Sequence, residues 1–423
     1  MNMPTDSRKI RGTELAAMVK IARNQDGLWS VPSQSGKGRY HVRLGDGPAN
    51  CHCTCPDHET RGVKCKHMYA VELVELRERH PDGSETVQRS VTIKETIRRT
   101  YPQDWTAYNA AQTNEKREFQ SLLFDLCSTI PEPPQGKGRP RLPLSDAVFA
   151  ATFKVYSTIS GRRFISDLCE AQANGYIGKV PHFNSIFNAL DNPALAGILT
   201  DLIVNTSLPL QSVECDFAAD STGFTTSRFH RWFDHKYGVV RQEHGWVKAH
   251  MMCGVRTNVV TAVEIHGRDA QESPILPALV AKTAENFTLR EVSADKGFSS
   301  INNVNMIASY GATPFIAYKS NNTCKKGGGM WEKMFHYFSF NRDEFLAHYH
   351  KRSNVETTVM MIKSKFGDSV RSKTDVAMKN EVLCKVLCHN VCCLISAMYE
   401  LGIQPMLAAN GCTRMLPAAQ QVS

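Results

Sequence analysis

"VECDFAADSTGF", residues 213–224, is where the chain changes character. Its first half alternates apolar and polar side chains with the period of two that a strand imposes, and the Asp-Ser-Thr-Gly that follows ends the alternation. It reads as a strand ending at Asp220. Downstream, "HGWVKAHMMCGVRTNVVTAVEI" reads as two more strands with a turn at "GVRTN". Then follow a helix in "SPILPALVAKTAENF", a strand in "REVSAD" closed by Asp295, a helix in "SSINNVNMIASYG" and a strand in "TPFIAYK". Three strands and then alternating helix and strand predict a mixed α/β sheet with helical cover.

Upstream the pattern is helical from 144 to 210, with apolar residues at helix spacing in "LSDAVFAATFKVYSTI", "GRRFISDLCEAQANG" and "VPHFNSIFNALDNPALAGILTDLI". Short helices joined by tight turns suit a helix-turn-helix DNA-binding segment, and equally an ordinary bundle. Residues 86–143 are polar and end in "PEPPQGKGRPRLP", where Pro and Gly discourage regular structure, so they read as a linker. Residues 406–423 read as a flexible tail.

At the other end, "CHCTCPDHETRGVKCKH", residues 51–67, packs four cysteines and three histidines into seventeen positions. Close pairs of ligands on turns supply the tetrahedral corners of a structural Zn²⁺ site, and Cys53-x-Cys55 and Cys65-x-His67 are two such pairs. Four protein ligands leave no corner open to water or substrate, so this metal is structural. Cys51, His52 and His58 are spare, Cys51 being the alternative ligand. Before the cluster, "GLWSVPSQSGKGRYHVRLGD" alternates like a hairpin with Trp29, Val31, Tyr40 and Val42 inward. After it, "HMYAVELVELRERH" has helical spacing.

Fourteen cysteines without an export signal point to metal ligands or small core residues rather than disulfides. The formal charge of +9 favours an anionic partner without identifying one. The most apolar segment, 382–400, is broken by Lys385, His389 and Asn390, so no membrane span is expected and the compartment is read as cytoplasmic or nucleoid-associated.

Two carboxylates, Asp220 and Asp295, fall at the carboxyl ends of predicted strands, where functional side chains of open α/β sheets gather. Asp216 shares the face of Asp220 and is the alternative first carboxylate. A third acid lies in "YHKRSNVETTVMMIK", residues 349–363. Taken as one helix at about 100° per residue, Tyr349, Arg352, Glu356 and Lys363 share an arc of roughly 60°. A solvated helix face has the same look.

The three stretches together resemble the bacterial insertion-sequence DDE transposases. Residues 349–363 match the Y-(2)-R-(3)-E-(6)-K signature at every defined position, and "DSTGF" and "ADKGF" resemble the segments of the first two acids. Cys53, Cys55, Cys65 and His67 likewise resemble the SWIM zinc finger. The resemblance implies a multidomain chain: a small zinc-binding hairpin and helix domain at 1–85, the helical segment, and an α/β ribonuclease-H-like mixed-sheet catalytic core at 211–405. It implies Asp220, Asp295 and Glu356 as ligands of Mg²⁺ or Mn²⁺, two such ions about 4 Å apart being suited to phosphodiester cleavage and strand transfer. It implies DNA as partner, both terminal inverted repeats and target, and a homodimer in bacterial cytoplasm. Tyr349, Arg352 and Lys363 are the expected DNA contacts, joined by Lys248, Arg228 and Arg231. A metal-dependent nuclease and a non-catalytic DNA-binding descendant are the rival readings.

Overall fold

The computed structural model describes residues 7–34, 38–45, 50–79, 85–88, 104–138, 140–226, 236, 246–267, 269–319, 322–324 and 328–407. The chain divides into two compact units, Met1–Pro102 and Gln103–Ser423.

In the first unit, α1 (Ser7–Met18) is followed by β1 (Ala22–Arg23), β2 (Trp29–Pro32), β3 (Arg39–Arg43) and β4 (His52–Cys53), which form one antiparallel sheet in that order. The hairpin register sets Trp29 opposite Val42 and Val31 opposite Tyr40. Trp29, Val31 and Val42 are buried as expected, and Tyr40 is half-buried. Two helices complete the unit, α2 (Pro56–Arg61) and α3 (Lys66–Val74). Gly12 lets α1 lie directly on α3, because a Cβ there would sit 2.5 Å from the Tyr69 Cβ and 2.8 Å from the Lys66 carbonyl. The predicted helix through residue 80 stops earlier: Leu76–Arg79 (β5) pairs antiparallel with Glu85–Gln88 (β6). The apolar spacing that marks the helix runs out in the charged "RERH", which cannot bury a helical stripe.

The second unit opens with α4 (Trp105–Ser128), a 24-residue helix where the sequence suggests a linker. Its polar face hides the fact that Phe119, Leu122, Leu123 and Leu126 are buried in the main core. Only the Pro-rich stretch after it is irregular among the described residues. Next come α5 (Leu144–Ser157), α6 (Gly161–Ala173), α7 (Phe183–Leu190) and α8 (Leu195–Ser207). These helices are not a separate body; they share one hydrophobic core with the sheet that follows.

That sheet begins with β7 (Asp216–Thr226), β8 (Trp246–Gly254) and β9 (Val260–His266), an antiparallel meander. The helix α9 (Leu276–Ala284) leads to β10 (Glu291–Ala294), then α10 (Ile301–Ser309) to β11 (Thr313–Ile316). The strand order is β11-β10-β7-β8-β9, with β10 parallel to β7 and to β11. The period-two alternation of β7 sorts its side chains between two cores. Ala218 and Phe224 face α4, α5, α8 and the long C-terminal helix, whereas Phe217 and Ala219 face α9 and α10.

After β11 the chain forms α11 (Met330–Phe340), α12 (Arg342–Tyr349), a 3₁₀ turn at His350–Arg352, α13 (Ser353–Phe366), the short strand β12 (Ser369–Val370) and α14 (Asp375–Leu401). The signature stretch 349–363 is therefore not one helix, since the 3₁₀ turn re-aims its first part. Among the described residues α14 is the one helix long and apolar enough to cross a membrane by itself, yet it is mostly buried in the protein core. Its Cys384 and Cys388 are fully buried against α5, Cys388 donating to the Thr152 carbonyl, as small core residues.

Candidate active site and zinc centre

Asp220 is not at the end of its strand, because β7 continues to Thr226. What opens there is one edge. β10 pairs with Asp216–Ala219 and β12 with Thr225–Thr226, both on the side away from β8, so among the described residues the intervening stretch of that edge has no strand beside it. Ala219 is level with Ala294, which places Asp220 and Asp295 at the next register position, side by side where the ladder stops. The Gly-containing "DSTGF" fooled the strand reading because its Gly is paired in mid-strand, with Trp246 covering the space a side chain would take.

The signature stretch docks onto that opening. Arg352 donates from Nη1 to Asp220 Oδ2 (3.2 Å) and from Nη2 to Glu356 Oε1 (2.6 Å). The Tyr349 hydroxyl donates to Asp295 Oδ1 at 3.4 Å, and the guanidinium stands 5.9 Å from the Tyr349 ring centre. Three segments far apart in sequence thus meet through two side chains. Asp220, Asp295 and Glu356 are not gathered as tightly as the cysteine cluster described below; Arg352 lies between the first and the third. Burial raises the Asp220 pKa above its ordinary value, with the charges of Asp295 and Glu272 adding to the rise and the Ser221 N–H and Arg352 opposing it. A carboxylate so placed gains from a nearby cation, and the all-oxygen donor set suits a hard divalent one.

Asp216, the alternative first acid, is engaged elsewhere. Arg290 grips it with two bonds of 2.7 Å, and Lys351 donates to it at 2.8 Å and to Glu291 at 2.7 Å. Lys363 is half-buried with its Nζ 5.5 Å from the Phe224 ring centre, and burial lowers its pKa. Lys248 does not point freely to solvent; it donates to Glu272 Oε1 (3.3 Å) and to the Ala270 carbonyl (3.1 Å). Arg228 and Arg231 lie outside the described residues. Glu272 and Ser221 are neighbours of this site that sequence reasoning missed. Glu272 sits in an irregular stretch with no periodicity, and only the fold brings it to β7.

In the first unit Cys53, Cys55, Cys65 and His67 place one ligand atom each within 4.8 Å of one another, all buried. Cys53 Sγ and Cys65 Sγ stand 3.9 and 3.8 Å from His67 Nδ1, edges close to those of a tetrahedron of ligands around Zn²⁺. The other ring nitrogen, Nε2, is buried without a hydrogen-bond partner. The hydrogen bond from Cys53, with His67 assisting, holds the Cys65 thiol down to about 3 against burial, while the same bond pushes Cys53 up. Thiolate character buried among thiols is what a bound cation compensates, so the residues fit the metal. Cys55 and Cys65 cap α2 and α3, so the two helices and β4 deliver the ligands. Cys51 and His58 stay outside the cluster, His58 meeting the Val63 carbonyl at 2.8 Å.

Comparison with known families places a transposase DDE domain at residues 211–391 and a SWIM zinc finger at residues 40–75. None of the curated proteins compared matches the chain. Among solved structures, a cryo-EM structure of piggyBac transposase in a synaptic complex with hairpin DNA is similar at 11% identity and a TM-score of 0.33, over 74% of this chain and 79% of that one. At that score the likeness decides nothing about this fold.

Proposed function

We propose that this chain, which carries a transposase DDE domain and a SWIM zinc finger, is a DNA transposase: it binds the terminal inverted repeats of its element, cuts there and joins the ends to target DNA. The observation that carries the reading is the Arg352 bridge between Asp220 and Glu356, with Tyr349 on Asp295, because it unites all three acids of the DDE pattern at one open strand edge. A meander of three strands extended by two parallel strands supports a ribonuclease-H-like core.

Asp220, Asp295 and Glu356 would hold Mg²⁺ or Mn²⁺, which when bound activates the attacking oxygen and stabilises the leaving one. The protein's own part is position and charge. Arg352 is held between two carboxylates and is free to turn to a DNA phosphate once another cation neutralises them. Tyr349 fixes Asp295 from the helix side. Lys363 offers a partly desolvated charge to the DNA beside β7, and Lys248 on β8, with Arg228 and Arg231, is a further DNA contact. The finger contributes to end recognition, with Arg11, Arg61 and Lys66 lining a cleft beside its ligands. Two ends must be brought together, so the working form is a homodimer, acting on DNA in the bacterial cytoplasm.

The test is to incubate the zinc-loaded protein and Mg²⁺ with DNA carrying the sequences that flank its gene, and to map the products. Cutting at inverted repeats followed by joined ends is expected. Cutting without joining favours the nuclease reading, and binding without cutting leaves a DNA-binding protein that descends from a transposase. For Lys363→Ala, the slope of log affinity against log salt concentration is expected to fall by about one, as for the loss of one phosphate contact. An unchanged slope removes Lys363 from the DNA interface.

A further inference from the structure

Glu272 lies in the stretch between β9 and α9 and meets β7 at Ser221, the residue after Asp220. Its carboxylate is used asymmetrically. Oε1 accepts from the Ser221 hydroxyl at 2.7 Å and from Lys248 Nζ at 3.3 Å, while the Ser221 backbone N–H donates to Asp220 Oδ1 at 2.8 Å. Glu272 is thus tied to the residue that follows Asp220. Oε2 accepts no hydrogen bond from the described residues. It occupies the space over Gly297, where a Cβ would collide with it and come 3.9 Å from Asp295 Oδ2. Asp295 receives Tyr349 on its other oxygen, Oδ1, so one oxygen from each acid, without a hydrogen-bond donor among the described residues, borders the space over Gly297.

An ion pair with Lys248 alone explains neither half of this. It needs no Gly at 297, and it gives no reason to hold an unshielded carboxylate oxygen toward a second acid that repels it. A cation ligand needs both: one oxygen fixed by donors, the other presented to the ion. We propose that Glu272 is a fourth carboxylate of the divalent-cation site, oriented by Ser221 and Lys248, with Gly297 making the room. The inference rests on the reading of Asp220, Asp295 and Glu356 as a cation site. It also gives Lys248 a role: it lowers the cost of concentrating acids at the edge until the ion is present.

The test is calorimetric titration of the zinc-loaded full chain with Mn²⁺ in the absence of DNA, for wild type, Asp295→Asn and Glu272→Gln. Glu272→Gln is expected to weaken Mn²⁺ binding about 10- to 100-fold and to raise the Mn²⁺ concentration needed for half-maximal cleavage, with DNA binding by the zinc-loaded protein in the absence of added Mn²⁺ or Mg²⁺ not weakened. If Asp295→Asn weakens Mn²⁺ binding and Glu272→Gln does not, the fourth ligand is overturned while the acid centre stands. If neither variant changes Mn²⁺ binding, the acid centre itself fails and Glu272 falls with it. Should Glu272→Gln lower the unfolding temperature, Gly297→Ala carries the test, since it keeps every charge and displaces Oε2. Wild-type Mn²⁺ affinity in that variant overturns the proposal.

Discussion

Glu356→Gln is expected to bind element-end DNA with wild-type affinity and to cut it about 10³-fold more slowly or worse, the scale on which loss of one preorganised charge-stabilising group is felt in an active site. The substitution keeps the volume and removes the charge. Folding should tolerate it, because the Glu356 side chain is 56% exposed and an ion pair of that exposure contributes at most about 1 kcal/mol. Arg352 keeps its bond to Asp220, so the signature stretch stays docked. The same substitution separates two uses of the site. A group that only positions DNA alters affinity and leaves the rate on bound DNA; a cation ligand alters the rate and its dependence on Mg²⁺. Single-turnover cleavage on saturating DNA, measured across Mg²⁺ concentration, reads the difference, and a rate near wild type takes Glu356 out of the chemistry.

Removing zinc is expected to unfold the first unit and leave the second standing. The core of Met1–Pro102 gathers around the ligands themselves: Cys53, Cys55 and Cys65 are members of its hydrophobic cluster with Trp29, Val31 and Met68. A structural Zn²⁺ contributes about 10–16 kcal/mol in small fingers, as much as the whole stability of an ordinary domain, so so small a fold has little left without it. With a strong chelator present, the thiols of Cys53, Cys55 and Cys65 should become reactive to a thiol reagent under native conditions. The second unit, whose separate core contains no ligand, should keep its thermal transition. Cys65→Ser should mimic the chelator. Buried thiols that stay unreactive after complete zinc loss, shown by metal analysis, would mean that packing alone holds the finger.

Local signals carried much of this fold because they act within a few residues. The β7, β8 and β9 strands, the helices at 144–207 and the cluster of Cys53, Cys55, Cys65 and His67 were legible, since alternation, helical spacing and close Cys/His pairs need no distant partner. The 24-residue α4 was not. Its exposed face dominates its composition, and the buried stripe of Phe119, Leu122, Leu123 and Leu126 acquires meaning only against α5 and α14. The extent of β7 beyond Asp220 was hidden for a related reason: Gly223 looks like a turn residue until Trp246 is seen filling the space above it.

The sequence by itself set out the candidate chemistry of this protein: which carboxylates are available, that one of them stands with a Tyr, an Arg and a Lys at signature spacing, and that three cysteines and a histidine have the spacing of metal ligands. Side-chain identity and short spacing suffice for those. Tertiary structure alone decided their relations. It set Asp220 level with Asp295 through the register of β10 on β7, bent the signature stretch so that Arg352 joins Asp220 to Glu356, gave Asp216 to Arg290 and Lys351, and carried Glu272 to Ser221. Strand register and helix docking are set by the packing of whole faces, and that sum over distant contacts leaves no mark at any single position.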